Sequence, residues 1–369
     1  MSKTLKAKRF IEKRELTSLL VNVITVKMIF SYPRNMVITS GNASWMQMIY
    51  VSLIALFLYW LIMRFYNKAN SYDILTLCQK VGGNALKIIV GIIIIMVLLF
   101  NASLFSQSLP ESIKTILLPL TPMRLILLIF GIAIFVGAYM GIFSLARIHS
   151  IFVILSAFVM GIFFLLLLHN INPQNLFPIL GKGTYNIFIK GLEAVSIFSD
   201  IFLLFILMPY CKNFNDAKKC GYRAIIISSL VSFLIMFLYN LVYSYPSSGE
   251  FMMSVFQMTR LIKIGDFFQR MEAFFGFIWS VSMMLYSSVY LVLICIVFKN
   301  TFDVSYYKPL IPAFAVIMCT LAFMPSSTAE LLKIQRISSL ITIPVCFFLP
   351  LLISFLYDKK EKRTGGEIK

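Results

Sequence analysis

Eight stretches of this chain run for at least 21 residues without an Asp, Glu, Lys or Arg: 35–63, 88–110, 125–146, 148–181, 224–249, 273–298, 309–329 and 337–357. About 20 apolar residues cross a bilayer as a helix. Two further apolar segments carry a charge deep inside them, Lys27 in the first and Asp200 in the sixth. The pattern predicts an all-α membrane protein of ten transmembrane helices, at about 16–38, 44–65, 86–108, 124–141, 148–168, 187–210, 222–244, 268–298, 309–324 and 334–357. A soluble domain of 369 residues would not be 60% hydrophobic with 13% charged residues, so lipid supplies the solvent.

The formal net charge of +18 does not point to nucleic acid once its distribution is read. With the N-terminus cytoplasmic, the tail and the even-numbered connections hold 22 of the 33 Lys and Arg residues. That bias obeys the positive-inside rule with both ends in the cytoplasm. No signal peptide is expected, because the first apolar segment lacks a small-residue cleavage site and runs straight into further spans. The six cysteines show no CxxC and no metal-ligand spacing and read as structural. No metal, no cofactor and no enzymatic chemistry is expected: there is no nucleophile–base pair and no glycine-rich phosphate loop.

Ten spans divide as five plus five, and an odd number per half inverts one half relative to the other. In inverted-repeat transporters the site lies between broken helices at equivalent positions of the two halves. Spans 1 and 6 open the halves. The expected organisation is a basic tail (1–15), a first repeat (16–168), an outer connection (169–186), a second repeat (187–357) and a short cytoplasmic tail (358–369). Pro33 removes a backbone donor in span 1 and disfavours helix at Tyr32, freeing carbonyls upstream. The connection 169–186 is long enough to cap or gate something, and 245–267 reads as an amphipathic outer helix. His149 and His169 are expected near span ends, beside interface water.

Several stretches carry a resemblance. They are Tyr32-Pro33-Arg34 followed by Gly41 and Trp45; Thr115 through Pro119 into Thr121-Pro122; Ala146-Arg147; and Asn175-Leu176-Phe177-Pro178 with Gly183. Phe198-Ser199-Asp200 before Met208-Pro209, and Arg260 through Gly265-Asp266-Phe267 to Arg270-Met271-Glu272 and Trp279, complete the set. In this order and spacing the chain resembles the B-subunit family of spore germinant receptors, the spore-permease branch of the amino acid–polyamine–organocation superfamily. The resemblance implies a LeuT-like 5+5 inverted repeat with discontinuous helices 1 and 6. It implies a nutrient-sensing subunit in the spore inner membrane, working with A-type and C-type receptor subunits. Where many relatives have Gly-x-Gly in helix 1 this chain has Val26-Lys27-Met28, and Asp200 stands where a Glu is usual.

Lys27 lies eleven residues into span 1, roughly 16 Å deep at 1.5 Å per residue. An ionisable group at that depth faces a partner, a cavity or a pathway. It can bind a ligand carboxylate, replace a coupling cation, or pair with Asp200. Asp200 can accept a ligand ammonium, relay a proton or close a gate. Ser31, Ser196 and Ser199 offer hydroxyls, beside Ile29 and Phe30 at the helix-1 break. Phe198 can cover a ligand, and Asn101 in span 3 and Tyr286 in span 8 are mid-span polar groups. These ten residues form the candidate ligand site, between helices 1, 3, 6 and 8, for a small polar nutrient such as an amino acid. A proton-coupled amino-acid permease and a structural subunit without its own ligand are the competing readings.

Overall fold

Backbone groups in hydrocarbon have no water to bond, so long apolar runs close their hydrogen bonds within helices. The computed structural model describes residues 9–30, 32–69, 72–116, 118, 120–262, 271–325 and 327–364. In chain order the helices are α1 (Lys13–Thr25), α2 (Tyr32–Ser40), α3 (Ser44–Tyr66), α4 (Ile74–Ile116), α5 (Met123–Met140), α6 (Ile142–Leu167) and α7 (Thr184–Phe188). There follow α8 (Leu203–Leu207), α9 (Phe214–Val242), α10 (Ser254–Arg260), α11 (Met271–Thr301), α12 (Ile311–Ala322), α13 (Thr328–Ile343) and α14 (Leu349–Thr364). Among the described residues no strand forms; one isolated bridge joins Ile11 to Cys211.

Eight helical stretches are long and apolar enough to cross a membrane: Tyr32–Ala69, Ile74–Glu111, Met123–Met140, Ile142–Asn170, Thr184–Tyr210, Phe214–Val242, Glu272–Thr301 and Glu330–Lys362. The chain is a multi-pass membrane protein. The ninth expected segment forms a shorter apolar helix, Lys308–Ala322. The first is interrupted: α1 gives way to a 3₁₀ turn, Val26–Ile29, and Phe30 leaves helical space at φ −95°, ψ −103°. This follows from Pro33, which cannot donate to the turn before it. Ser31 lies outside the described residues.

The sixth segment does not run as one α-helix. It forms one 3₁₀ helix of 13 residues, Lys190–Phe202, between α7 and α8. At 2.0 Å per residue it is about 26 Å long, well beyond the usual single turn. Such a stretch persists because its neighbours enclose it: 89% of the apolar window within Thr184–Tyr210 is buried, and 83% of that within Glu272–Thr301. The corresponding share is 22% for both Met123–Met140 and Ile142–Asn170. Those two helices expose Leu128, Ile129, Phe158 and Leu165 as a lipid-facing wall.

Two other helices bend for identifiable reasons. In α4, Gly82 and Gly83 leave helical space, with Gly83 at φ +72°, just before the expected start of the third span. Between α13 and α14 a wider π turn spans Pro344–Phe348, where the missing proline N–H forbids the regular bond.

Connection 169–186 caps the end of α2. Lys182 donates its backbone N–H to Ser40 O at 3.2 Å and its Nζ to Ile38 O at 2.5 Å. Gly181, at φ +47°, approaches so closely that a Cβ there would lie 2.0 Å from Ser40 O. The amphipathic helix expected over 245–267 is corrected to the seven residues of α10, after a 3₁₀ turn at Ser247–Gly249; residues 263–267 lie outside the described residues. His149 is also corrected. It is fully buried (0% exposed), two turns into α6, with Nδ1 2.7 Å from Leu145 O. Helix α6 starts at Ile142 and packs against α1, which shields a position that span counting put at an interface.

All six cysteines are free. Burial pushes the Cys211 thiol up to about 12, so this group stays a neutral thiol at physiological pH.

Candidate functional site

A 3₁₀ helix has three residues per turn, so side chains at i and i+3 stack on one face. In Lys190–Phe202 that rule aligns Lys190, Glu193, Ser196 and Ser199, and all four line a cavity of about 300 Å³. The serines reinforce the geometry by bonding three residues back: Ser196 Oγ donates to Glu193 O and Ser199 Oγ to Ser196 O, each at 2.7 Å. The opposite wall comes from α2 with Tyr32 and Arg34, and from Lys27 in the 3₁₀ turn between α1 and α2. Asn101 and Phe105 of α4 and the polar face of α13 close the rest.

At the floor Lys27 Nζ lies 2.7 Å from Asp200 Oδ1, with both side chains almost wholly enclosed (3% and 2% exposed). The same ammonium donates to Ser199 Oγ at 3.1 Å and to Ser196 O at 3.4 Å. A lysine has three N–H donors and no acceptor, so Lys27 is saturated by the 3₁₀ helix it faces. Tyr290 Oη of α11 donates to Asp200 Oδ1 at 2.5 Å, while Asp200 Oδ2 has no partner among the described residues. Tyr32 Oη and Ser196 Oγ lie 3.2 Å apart, tying the start of α2 to the same face.

At the mouth Arg336 Nε of α13 donates to both Glu193 carboxylate oxygens, at 3.0 and 3.1 Å. Asn101 fastens α4 to α13: its Nδ2 donates to Thr342 Oγ1 at 3.0 Å and its Oδ1 accepts from Ser338 Oγ at 3.1 Å.

Of the ten residues singled out from the sequence, Lys27, Asn101, Ser196 and Ser199 line the cavity. Asp200 is not in the lining and meets it through Lys27. Ile29, Phe30, Phe198 and Tyr286 are not in the lining. Phe30 stacks on Trp279, centroids 6.3 Å apart; Phe198 is fully buried in the core; Tyr286 stacks on Tyr290 at 4.5 Å. The expected eighth-span wall is replaced by α13, because α11 sits at the centre of the bundle, behind Asp200. Sequence reasoning missed Arg34, Lys190, Glu193, Lys333 and Arg336. The period-three pattern Lys190, Glu193, Ser196, Ser199 was the signal for two of them, hidden by reading the segment at the α period.

A profile of spore germination proteins, the spore permease family, matches residues 10–331. The chain belongs to that family. No curated protein matches it. The matched stretch ends just before Leu332, the first lining residue that α13 contributes.

Proposed function

We propose that this spore germination protein is the nutrient-sensing membrane subunit of a germinant receptor. Its ligand is a small polar molecule held in the cavity between the helix-1 break, α4, the 3₁₀ helix and α13. The carrying observation is the cavity: about 300 Å³, at the low end of small-molecule sites, with polar groups converging from separate helices. The interrupted first segment and the unusual sixth support a ten-crossing, LeuT-like 5+5 arrangement, with both ends cytoplasmic and the chain in the spore inner membrane. Binding would act by differential affinity for two arrangements of the bundle, since equal binding to both shifts nothing. Moving such an equilibrium from 1:99 to 99:1 requires about 5.5 kcal/mol of differential affinity. The shift would pass to A-type and C-type partner subunits.

The test is ligand-dependent thermal stabilisation of the purified full chain across amino acids, sugars, nucleosides and organic acids. One compound that stabilises wild type but not Ser338→Phe, which fills the α13 side, supports the reading. If no compound shifts the unfolding temperature, the cavity is not a ligand site of this chain.

The saturated donors of Lys27 favour a second reading, in which the pair is an internal strut and the subunit has no ligand of its own. Spores carrying Lys27→Met with Asp200→Leu separate the two. A full nutrient response that persists while no compound stabilises the purified chain supports the strut.

A further inference from the structure

The cavity is lopsided in charge. Two of its cations are neutralised inside the protein, Lys27 by Asp200 at 2.7 Å and Arg336 by Glu193 at 3.0 Å. Three more, Arg34, Lys190 and Lys333, line the same space and pair with no carboxylate among the described residues. The buried Nε of Arg34 has no hydrogen-bond partner among those residues. A buried donor left unmade is destabilising unless a ligand or water completes it. Lys190 Nζ lies over the face of Tyr185, 5.8 Å from the ring centroid. Among the described residues the one carboxylate in the lining, Glu193, already pairs with Arg336, and Asp200 is not in the lining.

We infer that the cavity takes a small organic anion: a carboxylate bearing hydroxyl groups, without the compensating ammonium of an α-amino acid. The inference rests on the ligand-sensing reading above and narrows its ligand class. Arg34, Lys190 and Lys333 supply the positive field. Charge-assisted bonds to a carboxylate are roughly twice as strong as neutral ones. Thr39 and Ser339, also in the lining, donate to Asn35 O and Arg336 O, so each offers an accepting oxygen to the ligand's hydroxyl groups. A cleft of net positive charge also concentrates anions from solution. Under the proposed orientation these cations sit at the outer end, where the positive-inside rule disfavours them, so topology does not account for their presence.

The experiment is thermal unfolding of the purified full chain with four probes at matched concentration: L-malate, gluconate, L-alanine and inorganic phosphate. Malate or gluconate should raise the unfolding temperature while alanine does not. The half-effect concentration should rise about fivefold between about 0.05 and about 0.3 M salt, because the contacts are electrostatic. It should rise about tenfold in Lys190→Gln/Lys333→Gln. Both replaced side chains are exposed, so the variant should fold, and the salt series needs no variant at all. Stabilisation by alanine and not by the organic anions overturns the assignment and leaves the cavity a ligand site of another class. Phosphate matching malate overturns the requirement for an organic ligand. Silence from all four overturns the assignment, and the wider nutrient panel then decides separately whether the cavity takes any ligand.

Discussion

The same contact, cation to carboxylate, closes the cavity at two depths. At the floor Lys27 meets Asp200 with 3% and 2% of their side chains exposed; at the mouth Arg336 meets Glu193 with 68% and 26% exposed. Distances differ little, 2.7 against 3.0 Å, so geometry does not separate them. Solvent does. Water and salt screen the mouth pair, and exposed pairs of this kind contribute about 0–1 kcal/mol. The floor pair has no water to fall back on, so removing one partner leaves a charge that nothing compensates. The floor therefore holds one arrangement firmly, and the mouth can open cheaply.

The comparison breaks most visibly at the floor. Lys27→Met or Asp200→Asn alone should lower stability by about 3–5 kcal/mol, whereas Lys27→Met/Asp200→Leu should recover most of it because no charge stays buried. Denaturant unfolding of the purified chain measures all three, and single variants as stable as wild type would show that water reaches the pair.

Tyr290→Phe comes next. It removes a hydrogen bond to a charged acceptor, for an expected loss of about 1.5–3 kcal/mol. In an Asp200→Asn background the loss should shrink, so a double-mutant cycle with a coupling near zero would detach Tyr290 from the pair.

Gly181→Ala tests the capped end of α2 near the mouth. Its φ of +47° and the 2.0 Å approach to Ser40 O predict a loss of about 1–2 kcal/mol. Hydrogen exchange should show the loosening at α2 and leave the 3₁₀ helix unchanged. Faster exchange at Ser196–Asp200 would mean that mouth and floor move together.

The smallest effect is Arg336→Gln, less than about 1 kcal/mol and vanishing at high salt. A thermal scan at two salt concentrations reads it, and a salt-independent loss above that size would place the pair in a drier setting than its exposure implies.

Much of the architecture was legible because membrane insertion sums hydrophobicity over about twenty residues, and a sum survives ignorance of contacts. The same logic picked out Lys27 and Asp200, since a charge inside such a run demands a partner, and pairing was among the roles open to both. Pro33 announced the break after Thr25 for a local reason. The sixth segment was less legible. Nothing local distinguishes a long 3₁₀ helix from an α-helix, and the choice moved Lys190 and Glu193 onto the face of Ser196 and Ser199. Tyr286 stands outside the cavity lining for a related reason: polarity at mid-span says that a group needs company, not which neighbour supplies it.

The sequence by itself determined that this is a helical membrane protein, where its first helix breaks, and that Lys27 and Asp200 each sit within an apolar segment. Those properties follow from composition along the chain and from proline's missing donor. Only the tertiary structure decided that Lys27 spends all three donors on one neighbouring segment, that α13 rather than α11 walls the cavity, and that three cations there pair with no carboxylate among the described residues. Those depend on distances between segments up to about 300 residues apart in the chain, and packing of whole helices, with each side chain's water removed or kept, sets them.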